Sequence, residues 1–172
     1  MAHILTAAQR HLLRMIFDRG AEGASLALSK WLHQEVHLRV SEVELVELAD
    51  AVELLGPPAS LVAACSMELT GRLTGWIILV FEDRAGLALV DLLLQVPLGT
   101  TDAWNELEQS AAKETTNIIG CAYVNALAAH LPGIERGGAA LAQPLARGAN
   151  DRLFPVDPQV QHLILPTVTM TL

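Results

Sequence analysis

The sequence predicts an α/β domain of the α+β kind, with two long helices packed on a sheet. Three observations lead there. Two long stretches repeat apolar side chains at three- and four-residue steps, the period of a helix. Between and after them apolar and polar residues alternate with period two, the pattern of half-buried strands. At 172 residues the chain has the length of one domain with a substantial core, residues 1–172 as a single unit.

Taken in order, Thr6 is the expected N-cap of a first helix from Ala7 to about His33. Its apolar stripe holds Leu12, Leu13, Ile16, Phe17, Ala24, Ala27, Leu28 and Trp31. Gly20 and Gly23 sit mid-helix, where each costs about 1 kcal/mol relative to Ala; a kink or the close approach of another element accounts for them. From Glu35 the period changes to two, predicting one long strand, or two joined by a bulge, through about Leu48. Ala49–Leu55 reads as a short helical turn before the breaker Gly56-Pro57-Pro58. Leu61–Leu69 and Leu73–Phe81 read as a hairpin around Thr70-Gly71-Arg72. Arg84–Gln95 is a short apolar helix, and Thr101 or Asp102 is the expected cap of a second long helix running to about His130 and ended by Pro132-Gly133. Gly137–Asn150, rich in Gly and Ala, reads mostly as loop, and Val160–Leu165 and Thr167–Leu172 as two strands separated by Pro166.

The order of elements repeats. An offset of 99 residues superposes the long helices, with Ala27-Leu28 over Ala126-Leu127, and suggests duplicated halves of about 6–100 and 101–172. The second half is shorter: 42 residues follow Leu131 inclusive, against 67 from Gln34 to Thr100. Either its sheet is smaller or an edge is left for a partner chain to complete.

Charge and composition exclude several functions. With 19 Asp and Glu against 11 Lys and Arg the net charge is −8, opposite to the basic face of a nucleic-acid binder. No apolar run reaches the roughly 20 residues of a membrane span, and the first residues lack a secretory signal. Cys65 and Cys121 are lone thiols without metal-ligand spacing, expected to be small buried hydrophobes in a reducing, cytoplasmic setting. His33 and His37 straddle a helix end and a strand start, so no zinc spacing arises. Ser29, Ser66 and Ser110 lack the Gly-x-Ser-x-Gly context of a hydrolase. Gly133 to Gly138 and Gly148 match neither a phosphate loop nor a dinucleotide fingerprint, and Trp31, Trp76 and Trp104 read as core or interface anchors.

Chemistry concentrates on the second long helix. At about 100° per residue, Ala112, Thr116, Ile119, Tyr123, Ala126 and Leu127 share one side, while Glu114, Asn117 and Cys121 share the other. Glu114 and Asn117 are three apart and hence neighbours, a negative acceptor beside an amide that both donates and accepts. Such a pair can grip a partner's cation with one member and orient a water with the other.

At these residues the sequence resembles a known family. Glu114-x-x-Asn117-Ile118 followed by Asn125-Ala126-Leu127, preceded by Glu106-Leu107-Glu108-Gln109-Ser110-Ala111-Ala112, is similar to the CheC/CheX/FliY family of chemotaxis phosphatases. Ala27-Leu28-Ser29-Lys30 is similar to the family's first helix, and the likeness covers roughly residues 6–130. The resemblance implies a CheC-like fold: two long helices related by a pseudo-twofold on a mainly antiparallel sheet. It implies hydrolysis of the aspartyl-phosphate of a CheY-type response regulator in two-component chemotaxis signalling. Glu114 and Asn117 fall on the family's catalytic positions, Asn117 holding the attacking water and Glu114 docking a regulator Lys. Many members carry a second pair on the first helix; the matching residues are Met15 and Asp18, so that site is expected to be degenerate, with Met15 in the core. Cys121 stands where the family commonly has a smaller residue. No cofactor is expected on this chain, since Mg²⁺ belongs to the response-regulator partner. Other chemotaxis proteins and a second copy are further candidate partners. The alternative function is a non-catalytic chemotaxis adaptor or flagellar-switch component.

Overall fold

The computed structural model describes residues 5–47, 50–51, 61–71, 74–130, 134–146 and 162–172, the backbone alone in 134–146 and at 162. Helix α1 spans Ala7–Leu32, strand β1 His37–Glu47, β2 Leu61–Gly71, β3 Gly75–Glu82, helix α2 Asp83–Leu94, α3 Glu106–Ala128, β4 Ile134–Ala146 and β5 His162–Thr171. The strands form two antiparallel sheets, β1–β5 and β3–β2–β4. This is an α+β fold with both long helices against the strands.

Helix α1 starts where its capping signal stands. The Thr6 hydroxyl accepts the Gln9 N–H at 3.2 Å, and the Gln9 side chain accepts the Thr6 N–H at 2.9 Å. Its buried residues, Ile16, Gly20, Ala21, Ala24 and Leu28, follow helical spacing and turn toward β1 and α3. One core cluster joins the three elements: Ala21, Ala24 and Leu28 of α1, Val36, Leu38 and Val40 at β1, Ile119 and Tyr123 of α3. A second puts Val124 on Met67 and Leu69 of β2. Strand β2 is buried almost end to end because it has a strand on each edge and α3 above it.

The glycines of α1 serve close packing. A Cβ on Gly20 would lie within the ring of Tyr123, and one on Gly23 would stand 3.3 Å from the Ala122 Cβ. The helices therefore cross at their small residues, which bring the two backbones together.

The long strand carries its bulge between Val40 and Glu42. There Arg14 of α1 donates to the carbonyls of Ser41 at 3.0 Å and Val40 at 2.5 Å. Farther along, the hydroxyls of Ser29 and Ser25 each accept an N–H, from Val36 and Leu38, at 2.8 Å. Side chains of α1 thus satisfy backbone groups of 36–41, where β1 begins.

Several sequence-based expectations need correction. The second long helix is not capped by Thr101 or Asp102: Asn105 is its N-cap, and the Thr101 N–H is donated to Asp91 at 2.9 Å. The Gly- and Ala-rich stretch is not mostly loop, since Ile134–Ala146 pairs along β2. Pro166 does not divide two strands; β5 runs through it, opposite Val43. Its missing N–H is tolerated because β5 has a partner on one edge only among the described residues. Gly56-Pro57-Pro58, Arg72 and Pro132-Gly133 lie outside the described residues, as does most of Ala49–Leu55, of which 50–51 are helical.

Candidate functional site

Helix α3 is divided lengthwise. Ala112, Thr115, Thr116, Ile119, Gly120, Tyr123, Val124 and Ala126 are buried. The two buried threonines satisfy their own hydroxyls by donating to the carbonyls of Ala111 and Ala112, at 2.9 and 3.0 Å. Gly120 admits the Met67 side chain, whose Cε would be 2.5 Å from an added Cβ. This small, self-satisfied face seats the helix on β2 and α1, so the opposite face is free to carry polar groups.

That opposite face holds Glu114, exposed, and Asn117 and Cys121, both half-buried, with Asn125 exposed beyond them. The Asn117 Nδ2 stands 3.4 Å from Glu114 Oε2. A contact this long is weak, so either group can exchange it for a better partner. Among the described residues Glu114 forms no ion pair, which leaves its negative charge available to an incoming cation. Cys121 lies one turn beyond Asn117. The other thiol, Cys65, is sealed beneath the helix beside Thr116, and burial pushes its pKa up, which makes it an inert core group.

The corresponding face of α1 differs. Met15 is 48% exposed, so its expected place in the core is wrong: the helix turns its small residues inward and leaves Met15 outside. Asp18 is held by Arg14, whose Nε donates to both carboxylate oxygens at 3.0 and 2.9 Å. Because the same guanidinium also bonds the bulge carbonyls, Asp18 is committed to a structural cluster. Sequence reading missed Arg14, although its four-residue spacing to Asp18 on a helix was a usable signal.

Among the described residues no group of three His, Cys, Asp or Glu side chains is placed to hold a metal ion, and no helix is long and apolar enough to cross a membrane. Open space of about 780 Å³ lies between the C-terminal half of α1 and β1, bordered by Ser25, Ser29, Lys30 and Arg39. Glu114 and Asn117 do not line it; they stand on an outward helix face. Groups so placed reach into a partner's cavity more readily than they enclose a small molecule of their own.

No protein-family model matches the chain. Among solved structures it is similar to FliY of Thermotoga maritima, with a TM-score of 0.83 and 19% identity over 98% of this chain and 85% of that one. The FliM middle domain of H. pylori superposes with a TM-score of 0.75 and 12% identity, over 97% of this chain and 86% of that one. The chemotaxis protein CheX of Desulfovibrio desulfuricans gives 0.51 and 13%, over 90% and 88%. Two long helices on antiparallel strands, matched across almost the whole chain, give this protein the CheC/CheX/FliY-like fold.

Proposed function

We propose that this chain acts as a single CheC-like unit in the cytoplasm, hydrolysing the aspartyl-phosphate of a CheY-type response regulator in chemotaxis signalling. The observation that carries the reading is the outward pair on α3, with the Asn117 amide 3.4 Å from a Glu114 carboxylate that forms no ion pair among the described residues. The fold shared with FliY and CheX supports it.

The regulator brings the phosphoryl group and the Mg²⁺ that neutralises it, so this chain has to supply only position. Glu114 pairs with a lysine of the regulator and fixes the docking register. Asn117 enters the regulator's site and holds a water in line with the phosphorus–oxygen bond. The water oxygen attacks phosphorus, the bond to the aspartyl oxygen breaks, and inorganic phosphate leaves behind a free carboxylate. Positioning a nucleophile in this way lowers the barrier by removing the entropy loss of capturing it. Met15 and Asp18 are a degenerate second site, so catalysis has one face.

The test is the decay of a phosphorylated regulator with and without this protein. Asn117→Ala lowers the rate about 100-fold or more, the scale of one oriented polar group, while binding weakens far less. Glu114→Ala impairs binding and turnover together. Decay at the spontaneous rate across several regulators, or an Asn117→Ala variant as active as the parent, ends this reading.

A second reading has its own support. The FliM middle domain shares this fold, and a FliM from H. pylori has been crystallised with FliG. The committed Arg14–Asp18 cluster suits a helix face that binds without catalysing. In that case the chain is a non-catalytic adaptor or flagellar-switch component, and regulator or switch-protein binding survives Asn117→Ala with no turnover to lose.

A further inference from the structure

Positive charge is concentrated in one part of this chain. Residues 1–39 hold five Lys and Arg against three Asp and Glu, and the rest holds six against sixteen. That first part contains α1 and the start of β1, which border the open space of about 780 Å³. At its rim stand Lys30 and Arg39, both exposed and neither in an ion pair among the described residues. Two acids stand there as well. Glu35 is 3.2 Å from His37, and Glu22 lies two turns before Lys30, about 12 Å along the helix.

Between these charges the groove offers apolar surface. The buried Val36 and Leu38 line it from the core, and Leu26 borders it, 66% exposed. Its serine hydroxyls are already engaged. Ser25 donates to the Ala21 carbonyl at 2.7 Å and accepts the Leu38 N–H, and Ser29 accepts the Val36 N–H. They are therefore not held ready to orient a small polar ligand. What the groove presents is an apolar strip beside two uncommitted cations. From Glu22 to His33 its helical wall is about 16 Å long, the span of about five extended residues.

We propose that this groove docks a short acidic segment of a partner protein, with an apolar side chain against Leu26 and Leu38 and carboxylates on Lys30 and Arg39. Charge selects both the occupant and its size. Carboxylates complement the two unpaired cations. Screening confines their reach to about 8 Å at physiological salt, so a short segment meets the groove's own charges and little else. A broad anionic surface, such as a membrane or a duplex, also meets the sixteen acids of the remaining chain and is repelled. Glu114 and Asn117 do not line the groove, so the inference is independent of what they do.

The test is fluorescence anisotropy of a labelled peptide, Glu-Leu-Glu-Leu-Glu, titrated with the full chain at low salt. Binding saturates, weakens as salt is raised, and is absent for the charge-reversed peptide Lys-Leu-Lys-Leu-Lys. Lys30→Gln and Arg39→Gln each weaken it about threefold and together about tenfold, the scale of exposed ion pairs. Leu26→Ala weakens it about tenfold through lost apolar contact. Arg19→Gln, at an exposed cation of α1 outside the groove, leaves it unchanged. All four positions are exposed, and thermal melts verify that each variant is folded. An acidic peptide that fails to saturate at millimolar protein overturns the proposal, as does equal binding of the lysine peptide. Binding indifferent to the Lys30 and Arg39 variants does so too. So does capture of phosphatidylserine vesicles, abolished by those variants, while the peptide stays inert.

Discussion

Tyr123 shows how a single buried group ties stability to pH. Its ring packs against Gly20 and lies 5.7 Å from the ring of Phe17, while its hydroxyl finds no hydrogen-bond partner among the described residues. Burial, and secondarily the negative charge of Asp18, push its pKa up to about 12 from 10.0. Between those values the unfolded chain has lost a proton that the folded chain keeps. The stability is therefore complete below pH 10 and is lost as pH rises through the folded value. A shift of this size corresponds to roughly 2–3 kcal/mol. Tyr123→Phe removes the unpartnered hydroxyl, so we expect an equal or higher melting temperature at pH 7 and a flatter alkaline decline. A variant that loses alkaline stability as steeply as the parent contradicts this account. Glu114 and Asn117 form the opposite kind of pair, loosely bonded to each other and placed outward.

The crossing of α1 and α3 turns helix propensity against packing. Alanine in place of glycine ordinarily favours a helix by about 1 kcal/mol. At Gly20 the new methyl would occupy the space of the Tyr123 ring, and overpacking of this kind costs about 1–3 kcal/mol. Gly20→Ala is therefore expected to lower the denaturant midpoint. Gly23→Ala, with 3.3 Å to the Ala122 Cβ, is expected to change it little. Equal effects at the two sites would show that the crossing does not discriminate between them. The sequence offered a kink or a close approach for these glycines, and the structure selects the approach. Other elements were legible to different degrees. The capping box of α1 and the bulge of β1 follow from local chemistry. The strand Ile134–Ala146 does not, because its Gly and Ala have low strand preference and it forms by pairing along β2.

The molecule as a whole is knit by polar ties that no periodicity announces. Asp91, fully buried in α2, accepts the N–H groups of Gly99, Thr100 and Thr101 at 2.6, 3.2 and 2.9 Å. Trp104 donates to Asp83 at 2.8 Å, its ring facing Gly86 across a gap that a Cβ would narrow to 3.0 Å. Together they bind the segment leading into α3 along α2, and so orient the helix that carries the candidate pair. The Thr101 side chain foremost, with these N–H groups, holds the Asp91 pKa below 3.8. Its contribution is thus present above that value and lost as pH falls through the lower folded one. Asp91→Asn keeps one acceptor oxygen of two, so we expect a lower melting temperature at neutral pH and a shallower loss on acidification. Parallel pH curves for parent and variant would rule this out.

Local order came from the chain's own patterning. Helical stripes, alternating strands, one helix cap and the outward side of α3 all rest on backbone geometry repeated every few residues, and the motif around Glu114 and Asn117 rests on residue identity. Contacts between distant segments settled the rest. Pairing along β2 made a strand of Gly and Ala, the Tyr123 ring fixed the crossing at Gly20, Asp91 moved the cap to Asn105, and Arg14 drew Asp18 into the bulge while Met15 stayed outside. These outcomes depend on which surfaces meet, and one-dimensional spacing does not encode the distance between residues that the fold brings together.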